Sequence, residues 1–141
     1  MNTALDTNII VALWDPDEAL NLEVQSALDA ALGHGKLVIA SPVYAELMAF
    51  PSRTEAFLDT FFSDTGIQID WYLNEAVWRI AGRAFQTYAA RRRKHGDSTP
   101  RRILADFLIG AHAVETGCSL LTLDNHLYRA AFPHLRILKS F

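Results

Sequence analysis

The chain has 141 residues, 50% of them hydrophobic and 21% charged, with a single cysteine, Cys118, and a net charge of −3. That size and balance fit one globular domain around one core and exclude a disordered polymer; the lone cysteine excludes an internal disulfide and fits a reducing cytoplasm. No apolar run approaches the roughly 18 residues of a membrane span, and strand-like sequence begins almost at Met1 with no basic segment ahead of an apolar one, so neither a membrane helix nor a signal peptide is expected.

Residues 2–5 read as a short first strand, with Thr7-Asn8 as the turn that follows. Residues 9–14 are apolar and open a short helix that Asp15-Pro16 ends. From 17 or 18 to 32, Leu20, Val24, Ala27, Leu28 and Ala31 recur at helical spacing, and Gly33-His34-Gly35 stops the helix. Leu37-Val38-Ile39-Ala40 is a continuous apolar run, the mark of a parallel strand buried on both faces. Ser41-Pro42 reads as N-cap and first helical residue of a helix reaching Phe50. After the break at Pro51-Ser52, residues 53–62 form another helix, and Gly66 leads into a strand over 67–70. The longest helix covers 73–94, with Leu73, Val77, Ile80, Ala84 and Tyr88 on one face. A breaker-rich loop over 95–100 precedes a helix that starts within 100–103 and runs to 116, where Gly110 allows close approach to the sheet. Residues 119–122 are a strand, Leu123-Asp124-Asn125 its turn, 126–131 a short helix ended by Pro133, and 136–139 the last strand. Strands alternating with helices through short turns imply an α/β fold whose parallel sheet is covered on both sides.

Four acids invite a common reading. Asp6 ends the first strand and Asp124 follows a later one, while Glu46 and Asp106 lie early in helices. In open α/β sheets ligands bind outside the carboxyl ends of the strands, the edge all four can share. Asp6 and Asp124 have an ordinary alternative as cap or turn residues. Glu46 and Asp106 are harder to dismiss, because each interrupts an apolar stretch where an ionised carboxylate needs a partner or a polar cleft. Four carboxylates brought together repel and destabilise the fold unless a divalent cation neutralises them. Oxygen ligands favour Mg²⁺ or Mn²⁺, with waters completing the octahedron, and one cysteine with five scattered histidines gives no zinc spacing. Such an ion suits phosphoryl chemistry, since it polarises the phosphoryl oxygen and lowers the pKa of an attacking water. There is no Walker-A loop, no Gly-x-Gly-x-x-Gly after the first strand and no Gly-x-Ser-x-Gly elbow.

Charge distribution points the same way. Arg91, Arg92, Arg93, Lys94, Arg101 and Arg102 stand against one acid, Asp97, so this stretch carries +5 and the rest of the chain −8. A basic segment on an acidic body suits a polyanionic partner such as RNA, although cations at a helix C-terminus also offset its dipole.

Taken together, Leu5-Asp6-Thr7-Asn8, the 41–47 stretch Ser-Pro-Val-Tyr-Ala-Glu-Leu, the 106–113 stretch Asp-Phe-Leu-Ile-Gly-Ala-His-Ala, and Leu121-Thr122-Leu123-Asp124 resemble a PIN-domain ribonuclease. Within that family the chain resembles the VapC toxins of bacterial toxin–antitoxin systems, over essentially its whole length. The resemblance implies a three-layer α/β/α sandwich with a central five-stranded parallel sheet, formed by residues 1–141 as a single domain. It implies Mg²⁺- or Mn²⁺-dependent endonucleolytic cleavage of RNA, with Asp6, Glu46, Asp106 and Asp124 as metal ligands or water activators. Asn8 and Thr122 match polar positions that orient the acids or the water. A homodimer, a cytoplasmic location and a VapB-like antitoxin whose C-terminal segment covers the cleft are implied as well. Two departures stand out: Asn125-His126 replaces the further acid and aromatic that relatives often carry, and the 91–102 stretch is more basic than the family pattern requires. Two other readings fit the same residues, namely a housekeeping PIN nuclease without an antitoxin and a catalytically silent RNA- or protein-binding module. Trp14, Phe61, Phe62, Trp71, Tyr72 and Trp78 are expected in the core or a dimer interface, and apolar residues between Phe50 and Phe62 are a candidate antitoxin surface.

Overall fold

A computed structural model describes residues 1–96, 104–139 and 141. In chain order the elements are β1 (Thr3–Leu5), α1 (Thr7–Trp14), α2 (Asn21–Leu32), β2 (Leu37–Ala40), α3 (Ser41–Leu47) and α4 (Glu55–Thr65). They continue with β3 (Gln68–Asp70), α5 (Glu75–Lys94), α6 (Leu104–Thr116), β4 (Ser119–Leu121) and α7 (Asn125–Ala131). The start expected for α6, within 100–103, lies outside the described residues.

The strands form one parallel sheet in the order β3-β2-β1-β4. Thr3 pairs with Leu37 on one side and Ser119 on the other, so β1 is central. Every residue of β1 and β4 is buried. Successive strand residues point to opposite faces, so both faces of the sheet are covered by helices, as an apolar parallel sheet requires. From β1 the chain builds outward through β2 and β3, then crosses to place β4 on the far side of β1. That reversal puts the topological switch point between β1 and β4, where a crevice opens at the carboxyl ends. Among the described residues, no helix is long and apolar enough to cross a membrane.

Among the described residues the sheet has four strands, not the expected five. The segment expected as the last strand, 136–139, contributes a single parallel bridge, Leu120 to Ile137, closed by Leu120 N–H to Arg136 O at 2.9 Å and Leu138 N–H to Leu120 O at 3.0 Å. With a partner on one side only and Ile137 and Leu138 half-buried, it gains too little burial to extend the ladder.

Local differences have local causes. Thr7-Asn8 is not a turn but the first residues of α1, because Asp6 caps that helix directly. Ser41 is already helical: Ala40 holds the cap position with no side-chain bond, and strand passes straight into helix. The second helix starts at Asn21, because buried Asn21 donates its amide to the carbonyls of Ala12 (2.8 Å) and Leu13 (3.2 Å) and so closes the end of α1. Gly110 approaches not the sheet but the ring of Phe132, as a Cβ there would lie 2.2 Å from Cε2. Phe62 is buried as expected, whereas Trp71, Tyr72 and Trp78 are among the exposed large side chains.

Candidate active site

Asp6 stands where β1 gives way to α1, at the switch point. Its Oδ1 accepts the Thr7 amide at 2.8 Å, and its Oδ2 accepts the Thr122 hydroxyl at 2.7 Å. Only 5% of Asp6 is exposed. Burial pushes its carboxyl above the usual range; the Thr122 and Thr7 donors oppose that rise, and the charge of Glu46 adds to it. Asp6 thus fills the ordinary role of a helix cap while standing at the switch point.

Thr122 follows β4 and is fully buried. While its hydroxyl donates to Asp6, its oxygen accepts the Asp124 amide at 2.9 Å. Asn8, at the start of α1, accepts the Leu123 amide on Oδ1 at 3.1 Å. Thr122 and Asn8 thus tie the loop carrying Asp124 to the segment carrying Asp6. Asp124 occupies the cap position of α7 but makes no side-chain cap bond, so capping does not account for it.

Glu46 reaches the same edge from the second turn of α3, where its Oε1 accepts the Thr7 hydroxyl at 2.6 Å. Asp106 lies in the first turn of α6 and is half-buried. A cleft of about 420 Å³ is lined by all four acids and by Thr7 and Asn8, and Asp15 and Glu18 extend its acidic wall. Among the described residues lining it there is no lysine or arginine. Asp70, a fifth acid at a strand end, is not part of this cleft; its Oδ2 pairs with buried His112 Nε2 at 2.9 Å and ties β3 to α6.

The donor set is all oxygen, and one of its carboxylates is buried, which fits a hard divalent cation. Among the described residues, no three His, Cys, Asp or Glu side chains are gathered closely enough to chelate a metal outright. That openness suits Mg²⁺ or Mn²⁺ better than a closed cage, because Mg²⁺ keeps several waters and takes one or two carboxylates directly.

Three features are not expected from the sequence. Thr7 grips Glu46 through its side chain and Asp6 through its amide; its place inside Asp6-Thr7-Asn8 is the available signal. Tyr128 is buried with its hydroxyl beside Asp6, and burial, then the charges of Asp6 and Asp106, hold that hydroxyl protonated well above the usual phenol range. Its spacing of four from Asp124 on α7 is the only hint. Asp15 and Glu18 read in the sequence only as helix-boundary residues. Of the basic stretch, Arg91, Arg92, Arg93 and Lys94 form the last turn of α5 and do not line the cleft, while Arg101 and Arg102 lie outside the described residues.

The model of the PIN domain family matches residues 3–133. No curated protein matches the chain. Among solved structures, the chain is similar to VapBC-1 from nontypeable Haemophilus influenzae, at 25% identity and a TM-score of 0.65, covering 99% of this chain and 98% of that one. It is also similar to VapBC2 from Rickettsia felis bound to a promoter DNA fragment, at 21% identity and a TM-score of 0.64, covering 100% and 99%. A toxin–antitoxin complex from Klebsiella pneumoniae shares the fold at 19% identity and a TM-score of 0.68, covering 99% of each chain. The chain belongs to the PIN domain family, whose members are nucleases that generally use divalent metals.

Proposed function

We propose that this chain is the toxin of a bacterial toxin–antitoxin pair, a VapC-type endoribonuclease that hydrolyses RNA phosphodiester bonds with Mg²⁺ or Mn²⁺. The observation that carries the reading is one cleft at the sheet's switch point lined by Asp6, Glu46, Asp106 and Asp124. These four would hold the cation, one or two of them directly and the others through its waters. When bound, the ion supplies a Lewis acid for the phosphoryl oxygen and a water of lowered pKa. The chain's own groups do the rest. Thr122 and Thr7 orient the Asp6 carboxylate, Thr7 also orients Glu46, and Asn8 anchors the loop of Asp124. Arg91, Arg92, Arg93 and Lys94 attract the RNA backbone from outside the acidic cleft, and Arg101 and Arg102 add to the charge of the same basic stretch, giving affinity that falls with salt.

The similar structures are named as VapBC or toxin–antitoxin complexes, which supports a VapB-like antitoxin as partner. Phe50 on the cleft wall and Phe57 on α4 are exposed and suit such a partner. A homodimer working in the cytoplasm completes the proposal, with exposed Trp71 and Tyr72 available to the dimer contact.

Purified protein should cut RNA with Mg²⁺ or Mn²⁺ and stop when a chelator is added. Asp6→Asn should cut at least about 10²-fold more slowly, the scale of losing one electrostatic contributor. Equal cleavage by Asp6→Asn refutes the site. RNA binding without cleavage, and without a Mn²⁺-dependent rise in melting temperature, assigns the chain to the silent module instead.

A further inference from the structure

Between α5 and α7 lies a second cavity of about 190 Å³, walled by Thr87, Tyr88 and Arg91 on one helix and by Leu127, Ala130 and Ala131 on the other. The three α5 residues stand one helical turn apart and so share a wall. Its composition is the reverse of the active cleft. The cleft is lined by acids with no lysine or arginine, whereas this cavity carries one cation, Arg91, and no acid among the described residues lining it. Among the described residues, no ion pair occupies the Arg91 guanidinium.

Each wall offers a different contact. The Tyr88 ring packs on Phe107, centroids 5.5 Å apart, so its place is fixed before any ligand arrives. The Thr87 hydroxyl donates to the Arg83 carbonyl at 3.1 Å, and its oxygen keeps the capacity to accept an N–H. Leu127, Ala130 and Ala131 supply an apolar floor. An aromatic wall, an apolar floor, one acceptor and one cation match a nucleotide, which presents a flat ring, an N–H edge and a phosphate.

The cavity also lies within reach of the cleft. Helix α7 begins at Asp124, which lines the cleft, and Leu127 to Ala131 follow it by one to two turns, about 5–10 Å along the axis. An RNA strand with one phosphate in an acidic cleft needs cations for its neighbouring phosphates, and Arg91 stands beside the apolar slot where the next bases can go.

We propose that the cavity between α5 and α7 is a nucleotide subsite, taking the base of an RNA nucleotide that flanks the cleaved bond while Arg91 holds its phosphate. The proposal rests on the reading of the chain as an RNA-cleaving enzyme and names where that RNA is gripped outside the acids.

Two fluorescent probes of equal length test it by anisotropy in chelator-containing buffer: a short single-stranded RNA of alternating adenosine and cytidine, and the same ribose-phosphate chain without bases. The proteins are wild type, Ala130→Leu and Thr87→Leu, which fill the slot from opposite walls at exposed positions, and each is also melted. Wild type should bind the base-bearing RNA at least about 5-fold more tightly than the abasic chain. Both variants should lose most of that preference, keep wild-type affinity for the abasic chain and melt no lower. A wild-type preference retained in Ala130→Leu and Thr87→Leu, or no preference in wild type, overturns the subsite and leaves the basic stretch and the four-acid cleft untouched. Variants that melt lower and lose both probes alike assign these positions to packing and also overturn it. A wild-type protein that binds neither probe at low salt refutes the RNA reading on which the proposal rests.

Discussion

Thr122→Val tests the hydrogen-bond chain that joins two strand ends. Valine keeps the shape of threonine but can neither donate to Asp6 nor accept from the Asp124 amide, bonds of 2.7 and 2.9 Å at a fully buried residue. The first bond is to a charged group, for which the loss is about 1.5–3 kcal/mol, and the second is a neutral bond of about 1 kcal/mol. Together they predict a loss of about 2.5–4 kcal/mol, or a fall of roughly 8–15 °C in melting temperature for a domain of this size. Thr122→Ser retains both bonds and loses one buried methyl, for which about 1 kcal/mol is expected. RNA cleavage by Thr122→Val should drop at least about 10-fold, because both Asp6 and the Asp124 loop lose their tie. Thermal melts in metal-free buffer and a cleavage time course read both quantities. If Thr122→Val melts and cuts like wild type, or Thr122→Ser is as damaged as Thr122→Val, the hydroxyl does not hold the site together.

Gly110→Ala should destabilise the fold by about 1–2 kcal/mol, since the added Cβ meets a buried ring and overpacking outweighs the better helix propensity of alanine; an unchanged or higher melting temperature would contradict this. Asp6→Asn should have a pH-dependent effect in metal-free buffer. Burial raises the folded-state carboxyl of Asp6 above 3.8, so between the two values the folded protein binds more protons than the unfolded one, and stability from this group is lost as pH rises through the folded value. Relative to wild type, Asp6→Asn should therefore gain stability toward neutral pH and lose that advantage as pH falls toward 4. A difference that grows as pH falls has the wrong sign for a buried carboxyl. Replacing Arg91, Arg92 and Arg93 by alanine should weaken RNA binding and flatten its salt dependence, the slope falling by about 1 for each phosphate these side chains neutralise; an unchanged slope leaves these residues only offsetting the α5 dipole.

The sheet and the four acids are legible for different reasons. Runs such as Leu37-Val38-Ile39-Ala40 name a buried parallel strand by composition alone, and alternation of such runs with helical spacing implies the carboxyl edge where the acids meet. The 136–139 segment has similar composition but pairs only through Ile137, because ladder length at an edge depends on burial by neighbours far away in sequence. Thr7-Asn8 reads as a turn because both residues are polar; capping by Asp6 makes them helical, and this places Thr7 on Glu46 across 39 positions. Tyr128 and Phe132 show no pattern beyond helical apolar spacing, so neither the hydroxyl beside Asp6 nor the ring above Gly110 can be read from the chain.

A crystal of the metal-free protein, soaked in Mn²⁺ and measured for anomalous scattering, examines the shared cleft most directly. The account predicts a Mn²⁺ ion there with an Asp6 oxygen at about 2.1 Å, waters completing its shell, and the other three acids reaching it directly or through those waters. A cleft without an ion at saturating Mn²⁺, or an ion held elsewhere with Asp6 still bound only to Thr7 and Thr122, would contradict it.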